Sequence, residues 1–197
     1  STGGILAIAL SVLKLNGSRL VNIYSSRNLK RIFSSSMPRL VGPKYGGRRK
    51  NNVLREYFGA LTLNEADTPA IAVSYDLKKR STRLFKTFED KHLKAWKVAS
   101  ATSAAPTFFP AVKIEENWYI DGAISSNNPV LIAYAEAKKL WPDENIKVLS
   151  VGTGFDSKSF KGNSTKNWGI FSWLRLGLIQ VLMESNSEHL IAESLFT

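Results

Sequence analysis

Cysteine is absent from this chain of 197 residues, and only two histidines occur, His92 and His189. A disulfide framework and a thiolate metal site are therefore excluded, and a His-rich metal centre has too few ligands. Acidic residues are missing from the first 55 positions, which hold 11 Lys or Arg. Beyond them basic and acidic side chains balance, so the whole net charge of +11 lies before Glu56. Long apolar runs are lacking too. The longest, Trp168 to Met183, is interrupted by Arg175 and falls short of the roughly 20 residues that a spanning helix needs. No signal-peptide pattern is visible. These features suit a cytoplasmic or peripheral membrane protein, with secretion left open. A nucleotide-binding loop is excluded at Val151-Gly152-Thr153-Gly154, because no Gly-Lys-Ser/Thr ending follows.

What is present is ordinary globular material, 44% hydrophobic and 22% charged, long enough for a single domain with a sizeable core. Apolar spacing predicts a buried helix from Thr2 to about Lys14, ended by Asn16-Gly17-Ser18, and further helical stretches over Arg19–Phe33, Val53–Leu61 and His92–Ser103. The Gly- and Arg-rich stretch 42–50 reads as a mobile loop. Strands are expected at Ala70–Asp76 and Arg83–Phe88, and a hairpin at 111–120 around Glu115-Glu116. Pro129 opens a helix to Leu140. Ile146–Val151 reads as a core strand, Asp156–Asn167 as a surface loop, and the tail from Phe171 as an amphipathic helix. Strands alternating with helices argue an α/β layered sheet.

Three segments carry candidate chemistry. Ser1-Thr2-Gly3-Gly4 opens directly into the apolar run Ile5 to Leu10, as a serine does at a strained strand-to-helix turn that exposes its hydroxyl. Ala101-Thr102-Ser103-Ala104-Ala105-Pro106-Thr107-Phe108-Phe109-Pro110 follows mid-chain. Trp118-Tyr119-Ile120-Asp121-Gly122-Ala123 then ends a β-prone run on an aspartate. Taken alone, Ser-Thr-Gly-Gly is a common loop tetrapeptide and Asp-Gly a common turn.

In this order the three segments resemble the patatin-like phospholipase family, with its G-x-S-x-G nucleophile motif, its A-T-S-A-A-P-x-x-F-P segment and its Asp-Gly-Gly or Asp-Gly-Ala triplet. Val148-Leu149-Ser150-Val151-Gly152-Thr153-Gly154 adds a fourth familial piece. The resemblance runs from Ser1 to about Gly154 and continues more weakly over Trp168 to Ser187. It implies a three-layer α/β/α sandwich and a lipid acyl hydrolase of the phospholipase A or esterase type. Catalysis would run through a Ser1–Asp121 dyad and an acyl-serine intermediate, with Ser1 as nucleophile, Asp121 as general base, and no metal or cofactor. Ser1, Thr2 and Gly3 match the end of the nucleophile motif, and Asp121, Gly122 and Ala123 match the second triplet. The family's Gly-x before the serine and its Gly-rich oxyanion loop have no counterpart from Ser1 onward. The expectation is a single patatin-like domain lacking its first strand or strands, that loop and the C-terminal end, and inactive by itself.

Ester hydrolysis needs a nucleophile, a base for its proton and donors for the developing oxyanion. His92 and His189 read as surface or packing residues rather than the base. Ser100 and Ser103 pack the sheet edge or shape the pocket, and Phe108 and Phe109 line an acyl channel or belong to the core. The basic stretch, residues 19–55, suits an anionic membrane surface or simply a solvated face. No nucleic-acid motif accompanies it. The rival reading is a catalytically inactive fragment or membrane-binding module that keeps the fold.

Overall fold

The computed structural model describes residues 2–34 and 42–152. Its backbone divides into two compact units, Ser1–Ser126 and Asn127–Thr197. In the first, helix α1 (Thr2–Leu13) buries Gly4, Ile5, Ile8, Ala9 and Val12, the one-sided spacing its sequence predicts. Lys14 stops it with a left-handed φ of 54°, two residues before the Asn16-Gly17-Ser18 expected to do so. The stretch expected as one helix over Arg19–Phe33 is broken. α2 (Gly17–Leu20) passes into a 3-10 turn at Val21–Tyr24, and α3 (Ser26–Ile32) restarts after Ser25, whose hydroxyl accepts from Asn28 N–H. Such a side-chain cap offers the backbone an alternative to continuing the helix.

The expected mobile loop at 42–50 is instead docked and partly helical. Lys44 N–H donates to Thr107 O at 2.7 Å and Tyr45 N–H to Phe108 O at 2.8 Å. Helix α4 (Gly47–Phe58) starts immediately after them. Gly47 lies so close to Pro110 that a Cβ there would come within 2.8 Å of the ring.

Four antiparallel strands follow, β1 (Ile71–Asp76), β2 (Ser81–Lys86), β3 (Val112–Ile114) and β4 (Asn117–Asp121), in the order β2-β1-β4-β3. β2 begins two residues earlier than the sequence suggests. The β1–β2 turn is organised by Asp76, whose Oδ1 accepts from Lys78 and Lys79 N–H at 2.9 Å each. The β3–β4 hairpin turns at Glu115-Glu116, with Glu115 at φ 52°.

Register decides which side chains share a face. Ala72 pairs with Phe85, Ser74 with Asp121, and Asp76 with Tyr119, so all six lie on one side. On that side Ala72, Phe85, Tyr119 and Ile114 join Ile5, Ile8, Ala9 and Val12 of α1 in one core. Leu54 and Phe58 of α4 and Ala95, Val98, Ala99 and Ala101 of α5 (Ala95–Thr102) complete it. α5 starts three residues later than expected. Helices α1 and α5 thus form a layer on the sheet, an α/β arrangement.

In the second unit, α6 (Val130–Leu140) starts after Pro129 as predicted. The expected core strand at Ile146–Val151 does not form. Leu149 and Val151 are more than four-fifths exposed, and among the described residues no strand pairs with this segment. Apolar content favours a strand only where a ladder receives its N–H and C=O groups. The loop at Asp156–Asn167 and the tail helix lie outside the described residues, as do Thr153 and Gly154.

Candidate active site

Asp121 is the last residue of β4 and is 5% exposed. Its Oδ1 accepts from Ala123 N–H at 2.9 Å, capping a 3-10 turn at Gly122–Ile124. The bland role of a turn aspartate is therefore realised, and it orients the carboxylate. Backbone bonds fix the residue from the other side, where Asp121 N–H donates to Ala104 O at 3.0 Å.

The three motif segments meet around Thr102. Its hydroxyl donates to Val73 O at 2.6 Å, in the buried middle of β1. A Cβ on Gly4 would lie 2.3 Å from Thr102 Oγ1, and a Cβ on Gly122 would lie 2.4 Å from Val73 O. Any side chain at either glycine would push these elements apart. The first turn of α1 therefore stacks on Thr102, Thr102 on β1, and the Asp121-Gly122 corner on the same β1 carbonyl. Tyr24 braces that first turn, its phenol donating to Thr2 O at 3.2 Å. Burial pushes the Tyr24 phenol up to about 12.

Ser1, the predicted nucleophile, lies outside the described residues, as does His189. Thr2 and Gly3 occupy the first turn of α1. Ala123 is buried in the 3-10 turn behind Asp121. His92 is exposed and sits 2.8 Å from Glu115 on the surface. Ser100 is fully buried, and Ser103 donates to Ala99 O at 2.8 Å. Phe109 is buried, and Phe108 is 42% exposed against Tyr45. Among the described residues no cluster of three His, Cys, Asp or Glu is placed to hold a metal.

One residue at the site escapes a reading of the sequence. Lys50 sits in the basic cluster Lys44–Lys50, yet it is 3% exposed. Its ammonium donates to Ser100 O at 2.9 Å, Ser103 O at 3.0 Å and Ser103 Oγ at 3.3 Å, and lies 4.5 Å from the centre of the Phe109 ring. Burial pulls its pKa down from 10.5 to about 7, against the field of Asp121, which raises it. The signal that reveals it is helical phase, since Lys50 lies three and four residues before the buried Val53 and Leu54.

This has a consequence for stability. Below pH 7 the folded and unfolded chains both hold the Lys50 proton, and the full cost of burying the charge is felt. Between about 7 and 10.5 only the unfolded chain holds it, so stability rises with pH, by at most ~1.4 kcal/mol per pH unit. Urea denaturation should show the wild type gaining on Lys50→Met across that window, with a constant difference below pH 6. A constant difference from pH 6 to 10 would show that Lys50 titrates like an exposed lysine.

A strand-end aspartate, fixed by backbone bonds, thus shares one α/β framework with two close-packed glycines, a threonine and a helix N-terminus. A family model described as Patatin-like phospholipase matches residues 1–134. Patatin-like protein 1 of Arabidopsis thaliana is 30% identical over 187 residues, covering 77% of this chain and 45% of that protein. Patatin-like protein 2 of Oryza sativa subsp. japonica is 29% identical over 225 aligned positions, covering 90% and 55%. Patatin-01 of Solanum tuberosum is 26% identical over 226, covering 96% and 58%. The chain belongs to the patatin-like phospholipase family, and it spans about half the length of the curated relatives it matches.

Proposed function

We propose that the protein is a lipid acyl hydrolase, of the phospholipase A or esterase type, working through a Ser1–Asp121 dyad. The observation that carries this reading is the packing of Gly4 and Gly122 on the Thr102–Val73 pair, which draws the start of α1 toward the Asp121 corner. Asp121 takes the hydroxyl proton as Ser1 Oγ bonds to the ester carbonyl carbon. The carbon–oxygen bond to the leaving alcohol then breaks, and the alcohol leaves with that proton. Water cleaves the resulting acyl-serine by the same steps, returning the proton to Ser1. Neither half-reaction requires a metal or cofactor. A fluorophosphonate probe on the protein should label Ser1, identified by peptide mapping. No labelling would leave the non-catalytic membrane-binding module as the better account, and labelling elsewhere would remove Ser1 as the nucleophile.

The substrate is a phospholipid or other acyl lipid, met at an anionic membrane surface through the basic stretch 19–55. Arg48 and Arg49 are exposed at the start of α4, and Lys44 lies 5.3 and 5.7 Å from the ring centres of Tyr45 and the part-exposed Phe108. Lys50 points inward and takes no part in this surface. Neutralising Lys44, Arg48 and Arg49 together should weaken partitioning onto anionic vesicles by about 3 kcal/mol at low salt, and by less at high salt. Hydrolysis of a soluble short-chain ester should barely change. Unaltered partitioning would remove these residues from the membrane-facing surface.

A further inference from the structure

Lys50 is costly where it stands. Its neighbours Arg48 and Arg49 lie on the surface, whereas Lys50 gives up its hydration for three oxygens at the end of α5 and a ring face. A lysine near a helix C-terminus is favourable on the surface, at far lower desolvation cost. Burial here therefore calls for a role beyond capping.

The geometry points to one. Lys50 grips the carbonyls of Ser100 and Ser103, and the next carbonyl along, Ala104 O, holds the Asp121 backbone. Asp121 is also the charge whose field reaches the ammonium. The other charged groups on the neighbouring helices are Lys97 of α5 and Arg27, Lys30 and Arg31 of α3. α4 itself adds Arg48, Arg49, Arg55 and Glu56. None of these is hydrogen-bonded to Lys50.

We propose that Lys50 is a positioning residue for Asp121, clamping the 100–104 turn on which Asp121 hangs and supplying a buried charge that acts on proton transfer to it. This rests on the Ser1–Asp121 reading for its catalytic consequence but not for the coupling of the two charges. Protonated, Lys50 attracts the charge that proton transfer to Asp121 would cancel, which restrains that transfer. Neutral, it releases that restraint. Both states keep at least two donated hydrogen bonds to the turn, because an amine retains two N–H groups.

Two measurements decide it. The first follows the Lys50 Nζ by 15N NMR through a pH titration, in the wild type and in Asp121→Asn. Asparagine keeps the oxygen that accepts from Ala123 N–H, so the corner is preserved. The expected midpoint is near 7 in the wild type and about one pH unit lower in Asp121→Asn, because an attractive charge has been removed. An unmoved midpoint overturns the proposal. The second is the pH profile of kcat/KM on a soluble ester. The wild type should show a rise of about tenfold centred near pH 7, the size expected for coupled charges of this kind. In Lys50→Met and Lys50→Arg the rise should vanish, with Lys50→Arg held at the lower level. A rise persisting in both variants, or missing from the wild type, also overturns it. A shifted midpoint without any ester turnover would keep the charge coupling and discard the hydrolase reading. Turnover with an unmoved midpoint would do the reverse.

Discussion

Asp121→Asn should lower kcat/KM on a soluble ester by about 10²- to 10⁴-fold, the range lost with a positioned general base. The substitution preserves the shape of the corner. The amide oxygen still accepts from Ala123 N–H, and the backbone bond to Ala104 O is untouched, so Tm should hardly move. Ser1→Ala should lose as much. The double mutant should be little worse than either single one, because residues acting as a unit do not add. His92→Ala is the control. That ring is exposed, with Glu115 as its partner, so turnover should be retained. Loss in His92→Ala comparable to Asp121→Asn, with folding intact, would sink the dyad.

Gly122→Ala should be the most destabilising small substitution in the first unit. Its Cβ would sit 2.4 Å from Val73 O and 2.5 Å from Val73 C, and backbone in the middle of a sheet cannot swing aside as a side chain does. The expected cost is about 3 kcal/mol, at the upper end for overpacking. Gly4→Ala should also destabilise, but its Cβ meets the Thr102 side chain. Thr102→Ala removes the two nearest atoms and leaves Val73 O without its hydroxyl donor. The pair Gly4→Ala and Thr102→Ala should therefore be less destabilising together than the sum of the singles, by roughly 1 kcal/mol or more. Gly122→Ala should gain no such relief from Thr102→Ala. Chemical denaturation of the three single variants and the two doubles measures this. Strict additivity in the Gly4–Thr102 pair would mean that the first turn of α1 does not rest on Thr102.

Some of this was open to reading in one dimension. The α1 face, the strands β1 and β2, the Glu115-Glu116 turn and the Pro129 helix start all follow from local spacing. Asp121 stood out as a candidate because its triplet and the 101–110 segment each keep a recognisable local order. Lys50 did not, because Arg48, Arg49 and Lys50 look alike until the phase of α4 is known. That phase depends on where the helix starts, and Gly47 starts it by packing on Pro110, 63 positions later. The stretch at Ile146–Val151 failed in the opposite direction. Its apolar content suits a strand, but strand formation is a property of a partner ladder and not of the segment.

The sequence by itself determined the family, the α/β class and the segregation of net charge before Glu56. These are carried by short motifs and composition, which need no knowledge of contacts. Only the tertiary structure decided that Thr102 joins Gly4 to β1, that Gly122 shares the same carbonyl, and that one of many lysines lies buried behind Asp121. Each depends on atoms brought within a few ångströms across tens of residues, where the exclusion of water, not the residue type, sets what a hydroxyl or an ammonium does.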